Sequence, residues 1–266
     1  KDGSPNFVFY ENTSGIHFRT LESIYAKSSI GEYIASDRNF IPKVSGSNTG
    51  VSNVAEDMKR VLDYEIVTNN DTRKHIKSGM LASKTISYNI FNKEVQVEPH
   101  DYFSDFNKYM RVSGSKSNDN PIYSASFVDD GGNTLGDFKD ARIFLHSVSK
   151  NSSGKNTEHY DDTNAVYEPN KLGKTISQKF AKHTELEFGV KVNMEINGNT
   201  TVNVGSIIDF QMPITGRDHE NDVFDKYHTG KFLITKTRHS FEKLGRRHKI
   251  YLSAVKDSYN TKLPKP

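Results

Sequence analysis

The residues of this sequence most suited to metal chemistry lie in its acidic loops. The stretch RDHENDVFD, residues 217–225, brings several oxygen ligands together, and Ca²⁺ takes carboxylate and carbonyl oxygens of this kind. The spacing departs from the D-x-[DN]-x-[DN]-G pattern of an EF-hand, and no glycine follows. We therefore predict a solvated hairpin loop rather than a metal site. The residues concerned are Asp218, His219, Glu220, Asp222 and Asp225.

A second acidic stretch, DDGGNTLGD at residues 129–137, could likewise be a metal-binding loop or a solvated turn. Asp129, Asp130, Asn133 and Asp137 offer oxygen ligands, and the glycine pair allows a tight backbone. The pattern again departs from the known calcium loops. We predict a turn here, with a bound ion as the alternative.

Catalytic constellations are weakly supported. Glycoside hydrolysis needs two carboxyl groups about 5–10 Å apart, and the candidates are Glu56 with Asp57 and Glu185 with Glu187. Exposed solubilising charge explains both pairs. The sequence contains no G-x-S-x-G elbow, no phosphate-binding glycine loop and no cysteine, which excludes thiolate catalysis, disulfides and cysteine-ligated zinc.

Histidines and basic residues give no stronger signal. His17 lies inside a strand pattern and His239 ends one, so we predict a packing or hydrogen-bonding role for each. The basic stretch KTRHSFEKLGRRHK, residues 236–249, could contact phosphates or a protein partner, but a solvated hairpin tip explains it. We assign no catalytic, cofactor-binding or metal-binding residue, and the residues of any partner contact stay open.

Composition favours a β-rich protein with many polar loops. The chain has 266 residues, of which 11% are aromatic, a formal net charge of +3 and a mean hydropathy of -0.70. Aromatic side chains suit the half-buried surface of a sheet. The mixed charges indicate neither nucleic acid nor membrane as a partner, and no apolar run reaches the length of a membrane helix. The opening KDGSPN is typical of a linker, so we expect a piece of a longer polypeptide.

The first hundred residues predict short strands and helices. FVFYENTSGIHFRTLESIY, residues 7–25, has the pattern of a strand, a turn, a second strand and a short helix. A helix is predicted in residues 51–66, with Val54, Met58, Val61 and Leu62 on one face. We expect Phe9 and Phe18 to pack against it. Residues 84–98 alternate like a β-hairpin, with Ile86, Tyr88, Val95 and Val97 on one face.

The remaining chain divides into an irregular part and a regular one. Residues 104–170 are rich in loop formers, with possible strands in IYSASFV and ARIFLHSV. A helix follows, with Leu172, Ile176 and Phe180 in four-residue steps. From residue 188 apolar residues occupy even positions, Asn197-Gly198-Asn199 predicts a hairpin turn, and a second hairpin spans 230–256. The even-numbered apolar residues are predicted to line the inside of a rolled-up antiparallel sheet.

Several segments, taken in order, resemble the central baseplate hub proteins of contractile-tailed, T-even-type phages, which are related to the spike-hub proteins of type VI secretion. PNFVFYENTSGIHFRTLESI is similar to an aromatic strand, glycine turn, strand and helix of that family. KLGKTISQKFAKHTELE followed by FGVKVNMEINGNTTVNVGSIIDFQMP resembles its helix, strand, turn and strand. GKFLITKTRHSFEKLGRRHKIYLSAVKDS resembles its C-terminal hairpin. The resemblance covers roughly residues 7–100 and 172–258, and the family's N-terminal barrel is missing.

The resemblance implies a fold and a structural role. The fold is β-rich α+β, with an antiparallel tube-like β-barrel interrupted by an insertion. The implied domains are a connecting domain at 1–70, the first barrel strands at 71–103, a loop-rich insertion at 104–171, and a helix with the remaining barrel strands at 172–266. The implied protein is a homotrimer in the virion that joins the tail tube protein to a spike or tail-lysozyme protein, beside other baseplate proteins. It is not an enzyme and has no cofactor.

Two alternatives remain from the sequence. A tail-associated cell-wall hydrolase would need two carboxyl groups in a cleft, one of them with a raised pKa. A glycan-binding module would need exposed aromatic side chains on one face of a sheet.

Overall fold

The computed structural model of the chain describes residues 6–35, 58–67, 71–89, 93–114, 119–148, 172–214, 224–243, 245 and 247–263. These residues form three sheets and a few helices. The strands, in chain order, are β1 (Phe7–Asn12), β2 (Gly15–Thr20), β3 (Ser29–Ile34), β4 (Val61–Val67), β5 (Ala82–Asn89), β6 (Glu94–Asp101), β7 (Ile143–Val148), β8 (Val190–Asn197), β9 (Ile207–Gln211), β10 (Gly230–Glu242) and β11 (Arg247–Lys256). The α-helices are α1 (Leu21–Tyr25), α2 (Thr72–Ser78), α3 (Tyr102–Asp105) and α4 (Leu172–Phe188).

The largest sheet has six strands in the order β3-β9-β10-β11-β8-β4. Its neighbouring strands are antiparallel except β3 and β9, which are parallel. The sheet curls so far that its two edge strands approach each other. Ile34 of β3 forms a parallel bridge with Arg60, which lies just before β4. The Ile34 N–H donates to the carbonyl of Lys59 at 3.1 Å. The result is a curled half-barrel whose edges touch at one bridge.

The inner face of this sheet confirms the predicted alternation. Along β8 buried residues alternate with half-buried ones, and β11 places its own apolar residues opposite those of β8. Burial of apolar surface is the main force that stabilises such a core. The buried residues of these strands, which share one core cluster, are Val190, Val192, Met194, Ile196, Ile208, Phe210, Phe232, Ile234, Ile250, Leu252 and Ala254.

The predicted hairpin at Asn197-Gly198-Asn199 is wrong. β8 pairs with β4 and β11, whereas β9 pairs with β3 and β10. The Gly198 N–H donates to the carbonyl of His248 at 2.8 Å, and the Asn199 side chain accepts from the Thr201 N–H at 3.0 Å. These bonds direct the chain past the tip of the β10–β11 hairpin, so β9 joins the far side of that hairpin. The second predicted hairpin, β10 with β11, is confirmed.

The three-stranded sheet has the order β6-β5-β7. The predicted hairpin at 84–98 is confirmed as β5 and β6, but β5 pairs next with β7 and not with the strands of the six-stranded sheet. β7 confirms the predicted strand in ARIFLHSV. The stretch IYSASFV forms turns instead, although Ile122 and Tyr123 enter the main core.

The opening segment folds as predicted, as the β1–β2 hairpin followed by α1. Thr20 caps α1, because its hydroxyl accepts from the Ser23 N–H at 3.2 Å. Leu21, Ile24 and Tyr25 of α1 pack with three residues on the other face of the six-stranded sheet in a second core cluster. Those three residues are Ile207, Leu233 and Val255.

Two expectations for the first seventy residues are wrong. The helix predicted in residues 51–66 is instead strand β4 from Val61 onward, and residues 51–57 lie outside the described residues. Tertiary pairing with β8 overrides the helical spacing. Phe9 and Phe18 are not buried, since they are 70% and 68% exposed. Among the helices of the described segments, none is long and apolar enough to cross a membrane.

Candidate interaction surfaces

The β1–β2 hairpin presents an apolar surface to solvent, which we call the hairpin face. It has three cross-strand rows, because Phe7 pairs with Thr20, Phe9 with Phe18, and Glu11 with Ile16. Phe7 is 44% exposed and Ile16 is 68% exposed. The rings of Phe7 and Phe18 stack with centroids 4.9 Å apart. Side chains alternate along a strand, so these residues share the outward side of the ribbon.

The opposite side of the hairpin fixes its position on the protein. Val8 and Tyr10 pack against the second core cluster. Tyr10 lies directly over Gly205, where an added Cβ would stand only 2.5 Å from the ring. The Asn12 amide donates to the carbonyl of Val204 at 3.3 Å. The hairpin is therefore held by one side, and its apolar side stays outward.

The three-stranded sheet presents a second apolar surface, which we call the sheet face. Its exposed residues include Leu145 at 80%, Val95 at 58%, Val97 at 50%, Ile143 at 45% and Tyr88 at 42%. The strand registers arrange the face in three rows of three. The rows are Val95–Tyr88–Ser147, Val97–Ile86–Leu145 and Pro99–Lys84–Ile143.

The buried side of β5, the central strand of this sheet, is polar, which accounts for the outward position of its apolar side. Ser83 and Thr85 are fully buried, and Ser87 is 5% exposed. The Thr85 hydroxyl pairs with the Ser177 hydroxyl of α4 at 2.5 Å. Helix α4 contributes mostly polar residues to the interior, so it packs against the polar side of β5. Among the described side chains of α4, the buried ones are Ser177, Gln178, Ala181, Lys182, Thr184 and Glu185.

The outer face of the six-stranded sheet forms a concavity of about 810 Å³. One row across four strands is Asp63, Glu195, Tyr251 and Arg238, which places acids on β4 and β8 and a base on β10. Lys249 donates to Glu195 at 2.5 Å. Tyr251 is 42% exposed and has the guanidinium of Arg238 5.8 Å from its ring centroid. The concavity is therefore lined mainly by charged and polar residues, together with two aromatic residues, Tyr64 and Tyr251.

A buried charge cluster connects the two large sheets. Arg111 donates to Glu185 of α4 at 2.5 Å, and Lys182 lies 3.6 Å from Asp257, just after β11. All four side chains are at most 6% exposed. Tyr102 donates to the second oxygen of Glu185 at 2.5 Å. The cluster joins α4 to the segment after α3 and to the end of β11, which is a structural role.

The surroundings shift the proton affinities of this cluster. Burial disfavours the charged form of Arg111, but its interactions with Glu185, Tyr102 and Asp257 together outweigh burial and raise the pKa of Arg111. Burial, and then the charge of Arg111, lower the pKa of Lys182. Burial, and then the charge of Glu185, raise the pKa of the Tyr102 phenol. The arginine and the phenol thus keep their protons at neutral pH.

The loop stretches singled out for metal chemistry bind their own backbone. Asp129 accepts from the N–H groups of Gly131 at 2.9 Å and Asn133 at 2.7 Å, and the Asn133 bonds lower its pKa. Asp137 accepts from the Thr134 N–H at 2.8 Å. In the acidic stretch 217–225 only the last two residues are described, and Asp225 accepts from the His228 N–H at 2.8 Å. Asp218, His219, Glu220 and Asp222 lie outside the described residues.

The described ranges contain no group of three or more histidine and carboxylate side chains arranged to hold a metal ion. His17 bonds Asn12 at 2.9 Å and stacks on Tyr10. His239 bonds His248 at 3.0 Å near the tip of the β10–β11 hairpin. Both contacts are of the hydrogen-bonding and packing kind that the sequence predicts for these two histidines.

The carboxylate pairs behave differently from one another. The prediction of exposed charge is wrong for Glu185, which is buried in the charge cluster, and is confirmed for Glu187. Glu56 and Asp57 lie outside the described residues. A pair that sequence reasoning missed is Asp209 of β9, opposite Glu32 of β3. Burial raises the pKa of Asp209, and the charge of Glu32 adds to this. Neither residue lines the 810 Å³ concavity.

Sequence reasoning also missed Arg111, Lys182 and Asp257, since they are far apart in the chain and follow no spacing rule. The two apolar faces had a visible signal, which was alternation, but alternation does not say which side is buried. The sequence pattern therefore located both faces. It wrongly predicted that Phe9 and Phe18 of the hairpin face are packed, and it assigned no buried side to the sheet face.

Comparison with known proteins gives limited information. No family model matches the sequence, and no curated protein matches it. A structural comparison finds similarity to the crystal structure of the tail protein from Neisseria meningitidis MC58, with a TM-score of 0.35 and 10% identity. The match covers 88% of this chain and 46% of that one, so the chain spans about half the length of that protein.

Proposed function

We propose that this chain is a structural component of a phage tail baseplate, the central hub that joins the tail tube to the spike as a trimer. The observation that supports it most is the curled six-stranded sheet, with an apolar inside and an outer face that is mainly polar at its concavity and covered by α1 at Ile207, Leu233 and Val255. A curled sheet offers its edges and outer face to neighbouring subunits, and symmetric oligomers reuse one patch on every copy. The order of the hub-like sequence segments agrees with this role.

The partners follow from the same proposal. A hub contacts copies of itself sideways, the tail tube protein at one end, and a spike or tail-lysozyme protein at the other. The hairpin face and the sheet face provide apolar surface for such contacts, since extended exposed apolar patches mark interaction sites. In this role the buried charge cluster links α4, which packs on the three-stranded sheet, to the end of β11 in the six-stranded sheet.

Reconstitution tests the hub proposal. The chain is mixed with the tail tube and spike proteins of the same phage, and particle mass is measured by mass photometry, followed by electron microscopy of the complex. We expect particles with three copies of the chain and a threefold axis along the tube. A chain that stays monomeric and binds neither protein would refute the proposal.

The hydrolase alternative now has one specific pair to test. Asp209 and Glu32 are adjacent carboxylates, and the pKa of Asp209 is raised, which are features of an acid pair. A peptidoglycan zymogram of the chain and of its Asp209→Asn variant measures this activity. Clearing by the parent chain that the substitution abolishes would establish a hydrolase, and the absence of clearing by the parent chain would reject it.

The glycan-binding alternative would use the exposed rings of Phe7, Phe9 and Phe18 as a stacking platform. Polar groups on that face are limited to Glu11 and Thr20. Titration calorimetry with cell-wall oligosaccharides tests it, because binding lost in Phe9→Ala would support a platform. Equal heats for the two chains would argue against it.

A further inference from the structure

We propose that the hairpin face of one copy packs on the sheet face of the next copy, head to tail. This inference rests on the self-assembly contained in the proposed function and assigns that assembly to two defined surfaces. Both faces are parts of one chain, so every added copy covers one face of each kind. A contact between two different patches is heterologous, and repeated copies then form a ring or a filament.

The two faces match row by row. Each has three cross-strand rows at the spacing of paired strands, about 4.8 Å between strands. The central rows are entirely apolar, with Phe9 and Phe18 on the hairpin face against Val97, Ile86 and Leu145 on the sheet face. Aromatic rings on the narrower ribbon would thus lie over aliphatic side chains on the wider sheet.

The outer rows match in polarity as well. The row of Phe7 and Thr20 corresponds to the sheet row with the hydroxyls of Tyr88 and Ser147. The opposite row contains Glu11, which is the one charged residue among the paired positions of the hairpin face.

The corresponding row of the sheet face contains Lys84, the one charged residue among its nine paired positions. Lys84 already pairs with Asp140, and its side chain keeps 28% exposure. In this orientation Glu11 lies near Lys84, which it shares with Asp140, whereas the reversed orientation leaves Glu11 without a base opposite it.

The presence of both faces on one chain favours a second copy over an unrelated partner. Four apolar residues of the hairpin face are 44% to 70% exposed, and five side chains of the sheet face are 42% to 80% exposed. A standard interface covers about 800 Å² per partner. A head-to-tail ring buries both faces of every copy, which doubles the covered area per subunit without any other protein.

The test uses one charged substitution on each face and a matched control. Phe9→Asp disrupts the hairpin face, and Leu145→Asp disrupts the sheet face. Phe241→Asp is the control, because Phe241 is a ring with 73% exposure that belongs to neither face. Circular dichroism confirms that all variants fold, and sedimentation velocity measures their mass at micromolar concentration.

We expect the parent chain and Phe241→Asp to be oligomeric and each of the other two variants to be monomeric. An equimolar mixture of Phe9→Asp and Leu145→Asp should form dimers and nothing larger. The reason is that the intact sheet face of the first variant accepts the intact hairpin face of the second.

The remaining outcomes separate this contact from the hub proposal. A parent oligomer that both substitutions leave intact overturns the contact alone, and so does sensitivity to one substitution without the other. A parent assembly that both substitutions abolish, but that is a filament or lacks threefold symmetry, supports the contact and counts against the hub. A parent chain that is monomeric at every concentration overturns the contact.

Discussion

The six-stranded sheet and the three-stranded sheet carry the same alternating pattern and bury opposite sides of it. In β8 and β11 the apolar residues point inward, as Met194 and Leu252 do at 3% exposure. In β5 and β6 the apolar residues point outward and Ser83 and Thr85 are buried. A period of two defines two faces, and neighbouring elements decide which one is covered.

The difference arises from what lies against each sheet. The six-stranded sheet curls on itself, so its apolar sides meet one another in one core. The three-stranded sheet packs against α4, whose buried residues are mainly polar, and the hydroxyl of Thr85 finds Ser177 there. A buried polar group is acceptable when it is hydrogen-bonded, so the polar side of β5 can be the covered one while its apolar side faces solvent.

Disrupting the buried charge cluster between the two sheets should lower the free energy of unfolding more than the other substitutions proposed as tests. Glu185→Ala leaves Arg111 buried without its main partner, and we expect a loss of about 3–5 kcal/mol in the free energy of unfolding. Urea unfolding followed by circular dichroism measures this loss. Glu187→Ala on the exposed side of α4 is the control, with a change within about 0.5 kcal/mol. Equal effects would show that the cluster does not couple the sheets.

The same substitution on the two sheets compares them directly. Leu252→Ala removes a buried side chain from the curled sheet and should cost about 2–5 kcal/mol. Leu145→Ala on the sheet face, where the residue is 80% exposed, should change the stability of the isolated chain by at most about 0.5 kcal/mol. Denaturation of the monomer measures both. A large loss for Leu145→Ala would contradict the outward orientation of the sheet face.

The pKa of Lys256 reports how far water is excluded from the end of the curled sheet. Burial lowers the pKa of Lys256 to about 8 from 10.5, although nearby carboxylates oppose the shift. Between pH 8 and 10.5 the folded chain releases this proton while the unfolded chain keeps it. The free energy of unfolding therefore rises with pH in this window, by about 3 kcal/mol in total for this residue.

Denaturant titrations from neutral pH to the middle of that window measure the slope. Lys256→Met should flatten the rise, whereas Lys236→Met, on the exposed outer face, should keep it. Identical slopes in all three chains would mean that Lys256 is hydrated in solution.

Of the four tests, breaking the hydrogen bond on the polar side of β5 should change the free energy of unfolding least. Thr85→Val leaves the Ser177 hydroxyl buried without its partner, at a cost of about 1–3 kcal/mol. The double variant with Ser177→Ala removes both hydroxyls and should recover most of that loss. Thermal unfolding of the parent chain, Thr85→Val, Ser177→Ala and the double variant gives the coupling energy between the two hydroxyls. Additive losses would show that the two hydroxyls do not bond.

Much of the fold follows from local sequence. The β1–β2 hairpin with α1, the β5–β6 hairpin, the β10–β11 hairpin and the helix beginning near residue 172 are all confirmed from alternation, turn residues and helical spacing. The strand β4 was mistaken for a helix, because apolar residues three and four apart occur in both types of element. The domain boundaries and the partner contacts stay predictions.

The sequence by itself determined the β-rich character of the chain, the inner residues of the last strands and the absence of cysteine chemistry. Only the tertiary structure decided that β8 and β9 join different neighbours, that Glu185 meets Arg111, and which side of β5 and of the β1–β2 hairpin faces solvent. Alternation and turn residues act between neighbours in the chain, whereas burial is set by elements far away in the sequence. A strand pattern therefore fixes two faces, and only the packed molecule selects the one that is buried.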